Sequence, residues 1–196
     1  MQTNAGHGGF DGGAVALDGT VEKDINLEIT LTLADFLRSA GYRVILTREA
    51  DVSTDDVETD KIATRKKGDL KNRLELMRDY PQAVFVSIHL NKFTTSTACG
   101  AQIFYCGGTE QSQELGEAIR NKIVSLLQPE NERVNKQATS STYILYNATV
   151  PAVLVECGFI SNSVELKKLK TEQYQTQMAF SIFCGITDYF KNKELI

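Results

Sequence analysis

Tryptophan is absent, and histidine occurs only twice, at His7 and His89. The first absence argues against an aromatic platform for stacking sugars or bases. The second means that any imidazole chemistry, at a metal or in proton transfer, falls to those two positions. Proline is scarce, with three residues beside fourteen glycines in a chain of 196, so a collagen-like or low-complexity polymer is excluded. No apolar run approaches the roughly 20 residues that a membrane helix needs. The longest, such as residues 151–155, are strand-sized. Basic charge is not in excess: 21 Lys and Arg stand against 25 Asp and Glu, a formal net charge of −4. A binder of phosphate backbones normally carries a basic stripe, so no nucleic-acid partner is expected. The four cysteines, Cys99, Cys106, Cys157 and Cys184, form no C-x-x-C pair. That argues against a thioredoxin motif, a Cys-based zinc site or a disulfide scaffold. They read as small core or strand residues.

What the chain does hold is an alternation of strand and helix. Residues 1–5 read as the stub of a first strand, and residues 6–20 as a loop holding six of the glycines. Ile25, Ile29, Leu33 and Leu37 recur every four residues and predict a helix over 21–39, closed by Gly41. Residues 42–47 read as a strand, and the acidic, Thr-rich 51–60 as a solvated loop. Leu70, Leu74 and Met77 mark a helix over 62–79 that Pro81 stops. Strands are predicted over 83–89 and 101–105, and a helix over 110–127 with Leu115, Ile119, Ile123 and Leu126 on one face. A short strand over 142–146, a strand over 151–156 that Pro151 can only begin, and helices over 163–170 and 172–190 complete the pattern. The fold class expected is α/β: a single domain over 1–196, built as a mostly parallel twisted sheet with helices on both faces. Residues 191–196 read as a polar tail.

In such sheets ligands bind beyond the carboxyl ends of the strands. Four polar residues fall there. His7 follows the first strand in Gly6-His7-Gly8-Gly9, and Glu22 opens the helix leaving that loop. His89 ends the strand 84–88, and Glu156 ends Val153-Leu154-Val155. Two His and one carboxylate are a common catalytic zinc set with a position left for water, and zinc lowers the pKa of that water to roughly 7. A second carboxylate then serves as general base and general acid. Each member also has a plainer reading: His7 as a loop residue, Glu22 as a first-turn acid favoured by the helix dipole, His89 as a hydrogen-bonded strand end. Glu156 is harder to explain away, because a carboxylate closing an apolar run is costly to bury alone. The glycine cluster does not have the spacing of a phosphate loop or a dinucleotide fingerprint. Close backbone packing beside a metal or an extended substrate suits it better.

At these residues the sequence resembles the zinc-dependent N-acetylmuramoyl-L-alanine amidases that cut bacterial peptidoglycan (the type-3 amidase family). Gly6-His7-Gly8-Gly9-Phe10-Asp11-Gly12-Gly13-Ala14 is similar to the family's first zinc motif. Glu22-Lys23-Asp24-Ile25-Asn26-Leu27 resembles the second ligand segment, and Ser87-Ile88-His89-Leu90-Asn91 the third. The run from Val153 to Asn162 resembles the motif of the catalytic glutamate. The resemblance implies one zinc ion, Zn2+, on His7, Glu22 and His89, with Glu156 catalytic. It implies hydrolysis of the amide between the lactyl group of N-acetylmuramic acid and L-Ala of the stem peptide. Asn91 is a candidate substrate contact, as are Asn26 and Arg65. Gln128-Pro129-Glu130-Asn131 is most similar to the subgroup acting on spore cortex, where stem-peptide removal is the first step toward muramic-δ-lactam. Met1–Ala5 replaces the apolar strand and Asp-Pro pair that usually precede the first motif. Segment 92–100 carries no inserted helix of the autoinhibitory kind, so an open groove is expected.

Peptidoglycan as substrate implies an extracytoplasmic location, secreted to the cell wall or the forespore intermembrane space. The chain shows no signal peptide, and we expect the native protein to begin upstream of it with a signal or anchor. An accessory protein partner is expected if the ion is loosely held. Two other readings stand beside the amidase: a zinc peptidase cutting within the stem peptide, and a wall-binding module without activity.

Overall fold

The computed structural model describes residues 1–193; the end of the expected polar tail, 194–196, lies outside the described residues. In chain order the elements are β1 (Gln2–Ala5), α1 (Glu22–Ser39), β2 (Ile45–Leu46), α2 (Ile62–Arg78), β3 (Phe85–Asn91) and β4 (Gln102–Tyr105). They continue with α3 (Glu110–Leu126), β5 (Lys136–Gln137), α4 (Tyr143–Tyr146), β6 (Ala152–Phe159), α5 (Ser163–Leu169) and α6 (Glu172–Asn192). Among the described residues the strands form one sheet in the order β2-β1-β3-β6-β4-β5. The first four of these are mutually parallel. β4 runs antiparallel to β6, and β5 lies parallel to β4. The mostly parallel α/β sheet expected from the sequence is present.

Side chains alternate across this sheet with the strand period of two. Val86, Ile88 and Leu90 of β3 and Val153, Val155 and Cys157 of β6 join the larger core with α1, α3 and α6. Phe85, Ala152 and Leu154 face the other way, toward α2 and α4. The predicted four-residue stripe is the buried face of α1: Ile29, Leu33 and Leu37 are fully buried. Burial of each such side chain stabilises by about 1.5–3 kcal/mol. Thr109, Asn162 and Thr171 cap α3, α5 and α6 with side-chain oxygens. α1 has no such cap at Val21, and the carboxylate of its first residue, Glu22, is used elsewhere.

Three expectations need correction, and one strand was not expected. Residues 142–146 contain a helical turn, α4, and Ile144 and Leu145 both pack into the same core cluster, whereas neighbours on a strand would face opposite sides. β5 is a two-residue, exposed, polar strand with no apolar pattern to announce it. α6 runs on through Asn192, so the polar tail does not start at 191. Of the cysteines, only Cys106 and Cys157 are core residues; Cys99 is exposed in a loop and Cys184 is half-buried on α6, and all four are free thiols. β1 is a full inner strand despite its polar sequence. Gln2 Nε2 donates to Leu76 O at 2.7 Å and Asn4 Nδ2 to Ser87 Oγ at 2.7 Å, so the amide nitrogens of both buried side chains have partners. No helix among the described residues is long and apolar enough to cross a membrane.

Candidate metal centre

Parallel pairing carries the carboxyl ends of β1, β3 and β6 to one edge of the sheet, and the four expected residues gather there. His7 follows β1 by two residues. His89 and Glu156 are direct register partners on β3 and β6, just before the register of those strands shifts. β6 continues to Phe159, so Glu156 lies within the strand rather than at its end. Glu22 reaches in from the first turn of α1. Its Oε2 accepts from Ala14 N at 2.8 Å, and its Oε1 from Leu90 N and Asn26 Nδ2, both at 3.1 Å.

His7 Nε2 stands 3.3 Å and His89 Nδ1 3.0 Å from Glu22 Oε1. The two rings meet edge to face with centroids 5.0 Å apart. One donor atom from each of His7, Glu22 and His89 lies within 4.8 Å of the others, a spacing that could hold a metal ion. Two glycines make the packing possible. A Cβ on Gly6 would collide with the His89 ring, and one on Gly13 would sit 2.6 Å from Glu22 Oε2 and from the His7 ring. Gly13 also takes a φ of 69° and His7 one of 61°, the latter in the region that costs a non-glycine residue about 1–2 kcal/mol.

The electrostatics match a cation-seeking cluster. Burial works against a charged His7, but hydrogen bonds to Asp11 and Glu22 outweigh it and raise its pKa to about 9. Burial likewise opposes the charge on Glu22, yet the two imidazoles hold its carboxyl well below the usual carboxylate range. Burial lowers His89. Glu156 goes the other way: burial first, then the Glu22 charge, push it up to about 8. Its Oε2 is shut away from solvent with no hydrogen-bond partner among the described residues.

Two buried arginines, which the sequence gives no reason to single out, anchor the backbone beneath this cluster. Arg48 donates to the carbonyls of Ala5 at 3.1 Å, Gly6 at 3.1 Å and Lys23 at 2.8 Å. Arg73 donates to those of Ala5 at 2.8 Å and His7 at 2.7 Å, while pairing with Asp69. Two candidate substrate contacts turn out to be structural. Asn26 is fully buried between Glu22 and Gly6 O, and Arg65 is bound by both oxygens of Asp55. Asn91 is half-buried at the same edge.

Residues 3–188 match the family model of N-acetylmuramoyl-L-alanine amidase. The chain belongs to that amidase family. Members are hydrolases of peptidoglycan, and this amidase shares their reaction. It is 36% identical over 188 residues to the germination-specific N-acetylmuramoyl-L-alanine amidase of Bacillus subtilis, covering 96% of this chain and 78% of the relative. The CwlD amidase of Clostridioides difficile, solved in complex with the GerS lipoprotein, superposes with a TM-score of 0.94 at 41% identity, over 97% and 98% of the two chains. The AmiC2 amidase of Nostoc punctiforme follows with 0.81 at 30% identity, over 97% and 96%. In this amidase segment 92–100 is a loop without a helix.

Proposed function

We propose that His7, Glu22 and His89 hold one zinc ion and that Glu156 carries the proton in cleavage of the amide between the N-acetylmuramic acid lactyl group and L-Ala. The donor set fits the metal: two imidazoles and one carboxylate converge, and a further carboxylate with an unpartnered buried oxygen lies in the same electrostatic field. Zinc supplies an acidified water and a Lewis acid for the scissile carbonyl. The protein supplies the rest. Glu156 takes a proton from the attacking water and delivers it to the amide nitrogen as the carbon–nitrogen bond breaks, leaving a free lactyl carboxylate and a free L-Ala amine. A carboxyl raised toward neutrality passes a proton readily in both directions. Asn91, beside the strand irregularity, is placed to contact the substrate. The described residues act together as one catalytic domain.

The observation carrying this reading is the meeting of His7, Glu22, His89 and Glu156 at one sheet edge. Its test is Glu156→Gln on purified sacculi, with products analysed by mass spectrometry. The expected result is a fall of about 10²- to 10⁴-fold in free muramic lactyl carboxylates. A near-normal rate, or products cut within the stem peptide, overturns it.

The likeness to the germination-specific relative and to CwlD supports spore-cortex peptidoglycan as the substrate, with muramic-δ-lactam formation following. The GerS complex of that neighbour supports an accessory lipoprotein partner for this chain. Such a substrate sets the site of action outside the cytoplasm, in the cell wall or the forespore intermembrane space.

A further inference from the structure

A second chain of contacts enters the site from α2. Lys66 Nζ lies 2.7 Å from Asp11 Oδ1. Asp11 Oδ2 lies 2.8 Å from His7 Nδ1, and Gly13 N donates to Asp11 Oδ1 at 3.2 Å. Beside Lys66, the Arg65 guanidinium sits 4.0 Å over the Phe10 ring. The same helix therefore grips residues 10 and 11 near its start, and the carbonyl of His7 through Arg73 further along. A carboxylate at Nδ1 can only accept, so a proton is held on that nitrogen, and the proton facing Glu22 on Nε2 is the one a bound ion would replace. Among the described residues no such carboxylate meets the far nitrogen of His89; its ring packs against Gly6 instead.

We propose that Asp11, backed by Lys66, is a positioning residue that fixes His7 in the tautomer and ring orientation needed to bind the ion. This rests on the reading that His7 is a metal ligand. Ligating imidazoles that donate their other N–H to a carboxylate depend on it, and losing that partner typically costs 10- to 100-fold in metal affinity. Lys66 holds the carboxylate in place, so the first half of the site depends on the seating of α2. His89 is held by its contact with Glu22 and by close packing on Gly6.

The test is zinc titration of the metal-stripped chain against a competing chromophoric chelator, with Co2+ absorption as a second readout. The wild type is expected to bind one ion. Asp11→Ala is expected to weaken zinc about 10- to 100-fold and to perturb the Co2+ bands. Asp11→Asn, whose amide oxygen still accepts from Nδ1, is expected to stay much closer to wild type. A Kd for Asp11→Ala within twofold of wild type, or equal losses in Asp11→Ala and Asp11→Asn, overturns the positioning role. If Asp11→Ala does not fold, Lys66→Met, altering a half-exposed side chain, reads the same chain of contacts: a weaker Kd supports it and an unchanged one overturns it. A wild type that binds no zinc overturns the metal-centre reading itself, a result distinct from either of these.

Discussion

At the scale of single residues, the site is set by what is missing from side chains as much as by what is present. Gly13 leaves room for Glu22 and His7 to approach, and a Cβ there would press against both. Gly13→Ala also places a side chain at φ 69°, which costs about 1–2 kcal/mol before any clash. The variant is expected to melt at lower temperature and to lose most peptidoglycan hydrolysis, measured by calorimetry and by release of stem peptides. Much of this site was legible in the sequence because histidine is so rare and both copies fall near strand carboxyl ends, His7 two residues past β1 and His89 two residues before the end of β3 rather than at it. The glycines were legible as close-packing residues because their spacing fits neither a phosphate loop nor a dinucleotide fingerprint. The roles of Asp11, Lys66, Arg48 and Arg73 were not, because each acts on a partner brought near only by the closed sheet. Arg73, for example, lies 66 residues from the carbonyl of His7 that it binds.

At the scale of elements, α2 carries more than its weak apolar stripe suggests. Its buried ion pair joins Asp69 and Arg73, with Thr54 donating to the same carboxylate through N and Oγ1. Burial opposes the Asp69 charge, but Arg73 and these hydrogen bonds outweigh it and hold the pKa below the ordinary carboxylate value. The unfolded pKa is near 3.9. The folded value lies lower, so the stabilisation is complete above about pH 5 and is lost as acid titrates the carboxylate from about pH 4 downward. Asp69→Asn is expected to lose about 3–5 kcal/mol at neutral pH by stranding Arg73. Between about pH 5 and pH 3 it should then lose less further stability than wild type. Urea unfolding across that range checks both statements. The long elements were legible because their apolar periods are unbroken: the stripe of α1 and the β-branched runs of β3 and β6. β5 and α4 were not. Two exposed polar residues carry no period, and Tyr-Ile-Leu-Tyr has the composition of a strand but the burial of a turn.

At the scale of the whole molecule, the fold and the metal centre are separable. Both apolar clusters close without contribution from His7, Glu22 or His89. Chelator treatment is therefore expected to abolish hydrolysis while leaving far-UV circular dichroism and cooperative unfolding intact. Added zinc should restore activity and raise the unfolding midpoint with the logarithm of its concentration over Kd. Loss of secondary structure on chelation would contradict that separation.

The two buried guanidiniums bear on how the ion is received. Three consecutive peptide oxygens, from Ala5 to His7, are already tied down by Arg48 and Arg73. An ion bound by His7, Glu22 and His89 would therefore meet an anchored backbone, and little chain freedom would remain to be surrendered on binding. The left-handed peptide at His7 is held through its carbonyl by Arg73 of α2, so a distant helix sustains that conformation in the absence of any ligand.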